Sequence, residues 1–234
     1  MKYAILSDIH ANLKALAAVL DDSNAQKCTH YVCLGDIVGY GGKPKECSKI
    51  IRDTAMKCVK GNVDEYCSSE TTLDRFPPKS AIVVEWTREQ LNEADREWLR
   101  NLPFVAKADG FTLVHATLDT PQRWQYIFNT LDAEPSFFYQ ETSVCFFGHT
   151  HVPLAFVREA SPTGNQVRGG TYSKFKVDPS KKYFVNVGSV GQPRDNNPKA
   201  AYVVYDMDEA TIELRRVDYD IAGAQNDIPP ENRN

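Results

Sequence analysis

The sequence of 234 residues lacks a hydrophobic run long enough to cross a bilayer. Apolar stretches such as AIVV, VCFF and YVVY are far shorter than the roughly 20 residues of a transmembrane helix. The N-terminal stretch MKYAILSD also reaches an acid, Asp8, before the apolar core of a signal peptide has formed. We therefore expect a cytoplasmic protein that does not associate with membranes.

Runs of lysine or arginine are missing as well. The chain has 27 basic and 31 acidic residues, which gives a formal net charge of −4. A protein that tracks the phosphates of a nucleic acid needs its positive charge clustered on one face. The composition therefore argues against nucleic acid as the main partner and favours a small substrate.

No C-x-x-C pair occurs, although the chain contains six cysteines. They are Cys28, Cys33, Cys47, Cys58, Cys67 and Cys145. Several of them lie in apolar stretches, where a thiol acts as a small buried hydrophobic group. In a cytosolic protein this distribution argues against both a disulfide framework and a cysteine metal site. We expect free, buried thiols.

The first sixty residues alternate between strand and helix patterns. Strands are predicted at 2–8, 30–36 and 57–62, because each is a short apolar run without a helical stripe. Between the first two, an amphipathic helix is predicted from the spacing of Leu13, Leu16, Ala17 and Leu20. Pro44 can open a second helix. This order implies parallel strand pairing with right-handed crossovers.

The pattern changes after Asp64. Two helices are predicted at 80–91 and 93–101, the second with Asn92 as its N-cap. Beyond Pro103 the chain is mostly strands, which predicts a more antiparallel second half. We find no internal repeat and no domain boundary inside this region.

The fold class is therefore predicted as α/β, with both halves sharing one core. We expect a single domain over residues 1–220. The remaining segment, residues 221–234, is polar and contains two prolines, and we expect it to be a loosely ordered tail.

Five predicted strands are each followed by residues with metal-binding side chains. These residues are Asp8, His10, Asp36, Asn62, His115, His149 and His151. In open α/β sheets, sites are built at the carboxyl edge of the strands, so we expect the seven side chains at such an edge. Four of the five histidines belong to this set, and only His30, at the start of its strand, is assigned to the surface.

The chemistry of this set predicts a metal centre. A single aspartate at a strand end is generally a cap, and a single histidine is generally a satisfied polar group, but seven together outweigh that interpretation. Imidazole and carboxylate ligands suit Mn²⁺, Fe²⁺ and Zn²⁺. Seven candidates exceed the needs of one ion and suit two ions that share a carboxylate. Two such ions form a clamp for phosphoryl chemistry.

In this order, the motifs DIH (8–10), GD (35–36), GNVD (61–64), His115 and GHTH (148–151) resemble the calcineurin-like metallophosphoesterase superfamily. The resemblance covers nearly the whole chain. The stretches LGDIVGYGGKPKEC, HATLDTPQRWQYIF, FGHTHVPLAF and NVGSVGQPRD are similar to its small prokaryotic predicted phosphodiesterases. The implied fold is a four-layer α/β sandwich, in which two mixed sheets are flanked by helices.

The resemblance also implies a role for each residue. The first metal would be held by Asp8, His10, Asp36 and His151. The bridging Asp36 would share the second metal with Asn62, His115 and His149. It places Asp36, Asn62 and His115 in the catalytic set and implies two divalent ions, Mn²⁺, Fe²⁺ or Zn²⁺. The implied reaction is hydrolysis of a phosphodiester by metal-activated water.

Val63 is the main departure from the family pattern, because the family commonly has histidine at this position. That histidine, paired with the acid that follows, can protonate the leaving oxygen. General-acid assistance is typically worth about 10²- to 10⁴-fold, so we expect poor leaving groups to react slowly. Asp64 loses its imidazole partner and is expected to be structural. Ala11, Ala116 and Val187 also depart from the pattern, yet all seven ligand candidates are retained.

Two further classes of function remain open at this point. One is a phosphomonoesterase or protein phosphatase of the same superfamily, and the other is a non-catalytic, metal-binding interaction scaffold. Asn12 could position substrate or cap the first helix, and Arg194 could grip a phosphate or lie on the surface. Trp124 and Tyr126 could line the substrate site or pack in the core.

Overall fold

The computed structural model describes residues 1–54, 56–74, 76–162 and 164–232. In the described part, two mixed sheets of six strands each are flanked by helices. The first sheet has the spatial order Lys57–Cys58 (β3), His30–Cys33 (β2), Lys2–Leu6 (β1), Ala200–Asp206 (β11), Thr211–Val217 (β12) and Lys174–Lys176 (β9). The second has the order Val105–Ala108 (β4), Phe111–Val114 (β5), Val144–Phe147 (β6), Lys182–Asn186 (β10), Ala155–Ser161 (β7) and Gly164–Gly170 (β8).

The described residues form seven α-helices, of which the first six lie between strands and the last follows β12. They are Leu13–Ala25 (α1), Pro44–Asp53 (α2), Asn62–Ser68 (α3), Pro78–Gln90 (α4), Glu93–Arg100 (α5), Thr130–Tyr139 (α6) and Ile221–Asp227 (α7). β1, β2 and β3 pair in parallel, as the strand–helix alternation predicts, whereas β11 adds to β1 in the antiparallel sense. The second sheet has its own parallel centre, where β6 pairs with β5 and β10.

The side chains of β1 point alternately to the two faces of the first sheet, and this shows which layers of the fold pack together. Ala4 and Leu6 pack with α1 on the outer face of the first sheet. Tyr3 and Ile5 point the other way and pack against residues of the second sheet. On the far side of that sheet, Phe137 of α6 joins a third buried cluster. The order helix, sheet, sheet, helix confirms the predicted four-layer α/β sandwich.

Three helices were not expected from the sequence: α3, α6 and α7. The third predicted strand ends at Cys58, and Asn62 begins the helix α3 instead of ending a strand. The helix α6 is also unpredicted. Asn129 caps it by accepting hydrogen bonds from the N–H groups of Leu131 and Asp132, and the Asp132 carboxylate accepts from the Asn129 N–H in return.

The predicted face of α1 is partly wrong. The buried stripe runs through Ala15, Leu16 and Val19, whereas Ala17 is exposed. The predicted N-cap of α5 is confirmed, because the Asn92 side chain accepts the N–H of Asp95 at 2.8 Å.

The segment predicted as a loosely ordered tail contains α7. The Asp220 carboxylate caps this helix by accepting the N–H of Gly223 at 2.9 Å. The division into residues 1–220 and 221–234 stays a prediction. All six cysteines are buried and free, as expected. In the described part of the chain, no helix is both long and apolar enough to cross a membrane.

Candidate metal centre

The loops that leave β1 and β2 run side by side at the carboxyl edge of the first sheet. The N–H of Asp8 donates to Gly35 O at 3.0 Å, and the N–H of His10 donates to Asp36 O at 2.9 Å. The second sheet reaches the same edge, because the N–H of His149 donates to Asp8 Oδ2 at 3.0 Å. Parallel strands of both sheets thus end at one place, where the predicted ligands meet.

Six of the seven predicted ligands form two buried groups. The first is Asp8, His10 and His151, and the second is Asp36, His115 and His149. Within each group, one candidate ligand atom per residue lies within 4.8 Å of the others. The sequence-based expectation that these six side chains converge is met, although their ligand roles stay predictions.

Asp36 lies between the two groups. Its Oδ2 is 3.7 Å from His10 Nε2 and 3.5 Å from His115 Nε2, so one oxygen faces both sides. Its Oδ1 accepts the N–H of Val63 at 2.8 Å, which fixes the plane of the carboxylate. This arrangement suits a carboxylate that bridges two cations.

Asp8 is oriented in a similar way. Its Oδ2 accepts hydrogen bonds from Ser7 Oγ at 2.7 Å and from the N–H of His149. Its Oδ1 is buried without a hydrogen bond and lies 3.2 Å from His151 Nε2. A buried carboxylate oxygen without a hydrogen bond lowers the stability of the fold unless a cation or a proton compensates its charge. Sequence analysis did not identify Ser7, although it directly precedes Asp8.

Asn62 presents a second buried oxygen of this kind. It follows Gly61, whose Cα packs so closely on Asp36 that a Cβ there would lie 2.1 Å from Asp36 Oδ1. The Oδ1 of Asn62 is buried and accepts no hydrogen bond. A neutral amide oxygen in this position fits a cation, and the ligand role of Asn62 stays a prediction.

Each histidine of the centre is held by a backbone carbonyl. The contacts are His10 Nδ1 to Val38 O (3.3 Å), His115 Nδ1 to Leu34 O (2.7 Å), His151 Nδ1 to Gln192 O (2.6 Å) and His149 Nε2 to Trp124 O (2.8 Å). A carbonyl only accepts, so the proton of each neutral ring lies on the nitrogen that faces it. The opposite nitrogen then presents a lone pair to the centre, as metal ligation requires.

These lone pairs face each other at short range. His10 Nε2 is 3.1 Å from His151 Nε2, and His115 Nε2 is 3.2 Å from His149 Nδ1. In each pair the two nitrogens repel if both are unprotonated. The proton that the raised pKa keeps on the His115 ring, or a divalent cation, removes that repulsion. The donor set and the unsatisfied carboxylate and amide oxygens therefore fit divalent cations of the Mn²⁺, Fe²⁺ and Zn²⁺ class.

Burial and the neighbouring carboxylates shift the pKa values of His10, His115 and His149. Burial lowers the pKa of His10 and of His149 to about 4, so both rings are neutral at pH 7. Burial would lower the pKa of His115 too, but the Asp36 carboxylate outweighs it and raises that pKa to about 9. Burial also disfavours the charged forms of the Asp8 and Asp36 carboxylates. The neighbouring histidines outweigh this effect and hold both pKa values below the ordinary range.

The backbone of the centre is strained. Five of the proposed ligands have a positive φ, between 47° and 67°: Asp8, His10, Asp36, His149 and His151. Residues other than glycine rarely adopt this conformation, and each instance costs on the order of 1–3 kcal/mol. Such strain persists where the surrounding structure imposes it, and it concentrates at functional sites.

Asp64 holds the backbone beside the candidate metal centre. Its carboxylate accepts the N–H groups of Asp36, Ile37, Val38 and Gly61, at 2.7 to 3.3 Å. Burial and the charge of Asp36 raise the pKa of Asp64 to about 7, and the backbone donors oppose that shift. The carboxylate therefore ties the loop of Asp36 to the start of α3, a structural role as expected from the sequence.

The side chain of Val63 belongs to the hydrophobic core. It is 5% exposed and packs in the cluster that includes Ile37 and Val38. A Cβ at Gly39 would lie 2.4 Å from Val63 Cγ1, so the valine fills the space next to that glycine. Position 63 therefore contributes no acid or base to the centre.

The two candidate substrate-binding residues differ in placement. Asn12 caps α1, since its Oδ1 accepts the N–H of Ala15 at 3.0 Å, and its Nδ2 donates to Gly191 O at 2.9 Å. Arg194 is exposed, and its guanidinium donates to the Gln192 side chain at 2.6 Å. Their substrate roles stay predictions.

A cavity of about 690 Å³ opens beside His10. Its lining includes Asn12 and Tyr40, and α7 contributes residues such as Ala224 and Gln225. The ring of Tyr40 meets His10 edge to face at a centroid distance of 4.9 Å. Sequence analysis did not identify Tyr40, although its place between glycines in VGYGG marks an unusual backbone; its φ is 62°.

Aromatic residues border the other side of the centre. Trp124 packs edge to face against His115, with ring centroids 5.9 Å apart, and its carbonyl holds His149. Tyr126 stacks on His149 at 4.3 Å and is 53% exposed. Tyr126 therefore lies at the surface of the centre instead of in the core.

Comparison with known proteins places this geometry in context. The family model of the calcineurin-like phosphoesterase superfamily domain matches residues 1–210. An uncharacterised protein of Methanocaldococcus jannaschii is 37% identical over 229 residues, which are 96% of this chain and 90% of that protein. The α7 residues that line the cavity lie beyond the range matched by the family model.

Two solved structures show the same overall fold. The crystal structure of a metallophosphoesterase from Sphaerobacter thermophilus has a TM-score of 0.83 at 36% sequence identity, and the match covers 97% of this chain and 92% of the other. A hypothetical protein from Pyrococcus horikoshii has a TM-score of 0.75 at 20% identity, over 99% of this chain and 95% of the other. The second likeness concerns the fold alone.

Proposed function

The chain belongs to the calcineurin-like phosphoesterase superfamily, and we propose that it is a phosphodiesterase that depends on two divalent metal ions. One observation carries this proposal. Two groups of buried carboxylate and imidazole ligands lie on either side of Asp36 Oδ2, which faces both of them. A single cation would leave one of these groups with unsatisfied lone pairs.

The ligand sets follow from the two groups. The first ion would be held by Asp8, His10, Asp36 and His151, and the second by Asp36, Asn62, His115 and His149. Two divalent ions at such a centre neutralise phosphoryl oxygens and lower the pKa of water. Nitrogen and carboxylate ligands favour Mn²⁺, Fe²⁺ or Zn²⁺ as the resident ions.

The chain's own residues contribute preorganisation. Backbone carbonyls fix the tautomer of each imidazole, and N–H groups or hydroxyls occupy one oxygen of each carboxylate. Asp64 holds the loop of Asp36 through four backbone N–H groups. Donors that are already oriented need little reorganisation during the reaction, and such preorganisation is a major source of catalysis.

Two features favour diesters over monoesters. Because Val63 lies in the core, position 63 supplies no proton to the leaving oxygen. The centre is also flanked by two different surfaces, the cavity beside His10 and the exposed Tyr126 ring beside His149, and each could receive one ester substituent. Among the described cavity-lining residues, Lys79 is the one lysine or arginine, which suits a diester monoanion better than a monoester dianion.

The test compares two esters with the same leaving group. The Mn²⁺-loaded protein is given 4-nitrophenyl phosphate and methyl 4-nitrophenyl phosphate, and we expect a higher kcat/KM for the diester. The Asp36→Asn variant, which loses the shared carboxylate charge, should lose at least about 100-fold with the diester. Faster cleavage of the monoester would support a phosphomonoesterase instead. Activity that persists unchanged in Asp36→Asn would contradict the proposed centre.

A leaving-group series tests the role of position 63. Without a general acid there, log kcat/KM should fall steeply as the pKa of the leaving alcohol rises. A nearly flat dependence would show that another group donates the proton. A small phosphoester stays the predicted substrate, and the cytoplasm stays the predicted location.

A further inference from the structure

Three aromatic rings form a nearly parallel column that begins at the candidate metal centre. Tyr126 lies 4.3 Å from His149 with an angle of 17° between the ring planes. Phe128 lies 5.8 Å from Tyr126 with an angle of 10°. The column therefore runs outward from a proposed metal ligand, and Phe128 is its outer ring.

The two outer rings are exposed to solvent. The side chains of Tyr126 and Phe128 are each 53% exposed, whereas Ile127 between them is 1% exposed. The segment 124–128 has no regular secondary structure, and from Tyr126 to Phe128 the side chains are exposed, buried and exposed in turn. Packing in the core therefore explains Ile127 and does not explain the two rings.

Both ends of this segment are held in place. Ile127 packs in the buried cluster that includes Phe137, and the Trp124 carbonyl is bonded to His149 at 2.8 Å. The N–H of Phe128 donates to the Asp132 carboxylate at 2.9 Å. The rings are thus presented to solvent from a backbone anchored at both ends.

We propose that Tyr126 and Phe128 form the binding surface for the nucleobase of a small nucleoside phosphodiester. This inference rests on the proposed function, because it needs the phosphate to lie at the metal centre. A nucleoside places its base one sugar away from the phosphorus. Tyr126 stacks on the proposed ligand His149, and Phe128 lies one ring further out. Every nucleobase has a π-face, and bases stack on exposed tyrosine and phenylalanine rings.

The geometry favours a planar ring over other ester substituents. Aromatic pairs gain energy from offset stacking, and Phe128, the outer ring of the column, offers a face for it. An acyl chain gains nothing from parallel rings beyond apolar burial. A polymeric nucleic acid is disfavoured by the net charge of −4 and by the lack of lysine or arginine runs.

The experiment uses two esters that share the 4-nitrophenolate leaving group. One is thymidine 5′-(4-nitrophenyl phosphate), and the other is methyl 4-nitrophenyl phosphate, which has no base. We expect the Mn²⁺-loaded wild type to prefer the thymidine ester. Phe128→Ala should lower kcat/KM for that ester by about 5- to 100-fold and leave the methyl ester nearly unchanged. Phe128 is chosen because it stacks on Tyr126 and not on His149.

Phe138→Ala is the matched control. Phe138 is also an exposed phenylalanine, at 68%, but it lies on α6 and contacts the Arg158 guanidinium. It should leave the preference for the thymidine ester intact. Phe128→Leu keeps apolar bulk without a ring and should behave like Phe128→Ala. Equal losses with both esters, or no loss in Phe128→Ala, would overturn the inference.

Binding gives a readout that does not depend on hydrolysis. Saturation-transfer NMR with thymidine 5′-monophosphate should show contact at the base protons in the wild type, weakened in Phe128→Ala and retained in Phe138→Ala. If neither ester is hydrolysed, the proposed function fails. The binding pattern alone then shows whether the nucleobase binds at Tyr126 and Phe128. A wild-type dimer that Phe128→Ala converts to monomer, seen by light scattering, would assign the rings to a second copy and overturn the inference.

Discussion

His10 Nε2 and His151 Nε2 lie 3.1 Å apart, and the other nitrogen of each ring is bonded to a backbone carbonyl. Burial lowers the pKa of His10 to about 4, so its facing nitrogen carries a lone pair at neutral pH. The two rings come from opposite sheets, since His10 follows β1 and His151 follows β6. The two nitrogens can stay this close only if a proton or a cation lies beside both of them.

The first prediction concerns metal binding by this pair. His151→Ala removes one ligand of the first group and should reduce bound metal from about two ions per chain toward one. Elemental analysis of protein purified with Mn²⁺ measures this number. The stabilisation by saturating Mn²⁺, which reaches about 2.7 kcal/mol at 100 times Kd, should also shrink.

His30→Ala is the control for that measurement. His30 is exposed at the start of β2, and we expect its removal to leave the metal content unchanged. A full complement of metal in His151→Ala would show that His151 is not a ligand.

The second prediction tests the close packing beneath Asp8. A Cβ at Gly148 would lie 1.9 Å from Ser7 Oγ and 2.5 Å from Asp8 Oδ2, so Gly148→Ala must displace one of these groups. We expect a lower Tm and less bound metal, because Asp8 would lose its orientation.

Gly170→Ala is the matched control for Gly148→Ala. A Cβ at Gly170 would have no heavy atom within 4 Å, so this variant should keep both the Tm and the metal content. Wild-type metal binding in Gly148→Ala would contradict the proposed geometry of the first group.

The third prediction concerns Asp64. Asp64→Ala leaves the N–H groups of Asp36, Ile37, Val38 and Gly61 without their acceptor. Buried donors that lose a charged acceptor cost about 1–3 kcal/mol each, so the free energy of unfolding should fall by about 3 kcal/mol or more. Urea unfolding in the presence of a chelator measures this effect without a metal contribution.

Asp218→Ala serves as the control for Asp64→Ala. Its carboxylate is 80% exposed and pairs with Lys199 at the surface, so we expect no measurable change in unfolding. A similarly small effect of Asp64→Ala would show that water replaces the lost acceptor.

The fourth prediction is a pH dependence far from the centre. Partial burial raises the pKa of Asp22, but hydrogen bonds from Arg215 and Tyr202 outweigh it and hold the pKa below the ordinary 3.8. The unfolded chain therefore takes up this proton at a higher pH than the folded protein does. The stabilisation is present above pH 3.8 and is lost as the pH falls through the lower, folded-state pKa.

Asp22→Asn should accordingly be less stable than wild type by about 1 kcal/mol at pH 7. The difference should shrink as the pH falls below 3.8, as measured by urea unfolding with chelator present. A difference that stays constant between pH 7 and pH 3 would show that the charge of Asp22 is not what stabilises the pair.

Much of the candidate site was predictable from the chain. Ligating residues follow apolar strands directly, and strands of this kind end at a common edge, so convergence of Asp8, Asp36 and His149 follows from sheet geometry. The N-cap of α5 was predictable because an Asn92 cap is a local interaction. The helices α3, α6 and α7 were missed, although the capping box of Asn129 and Asp132 was a local signal for α6. Their sequences carry no clear apolar stripe, and packing against the rest of the fold decides their conformation.

The order of residues along the strands is enough to predict an α/β fold and to identify seven candidate metal ligands, and the four layers were implied by the resemblance to the metallophosphoesterases. Three features were decided by tertiary structure alone: the tautomer of each histidine, the position of Asp36 Oδ2 between two groups, and the column of Tyr126 and Phe128 beside His149. Each depends on atoms from segments distant in sequence, with carbonyls, carboxylates and rings brought together by two sheets. Local sequence pattern specifies which strands form and which side chains follow them. Only the packing of the two sheets specifies which groups of one segment face those of another.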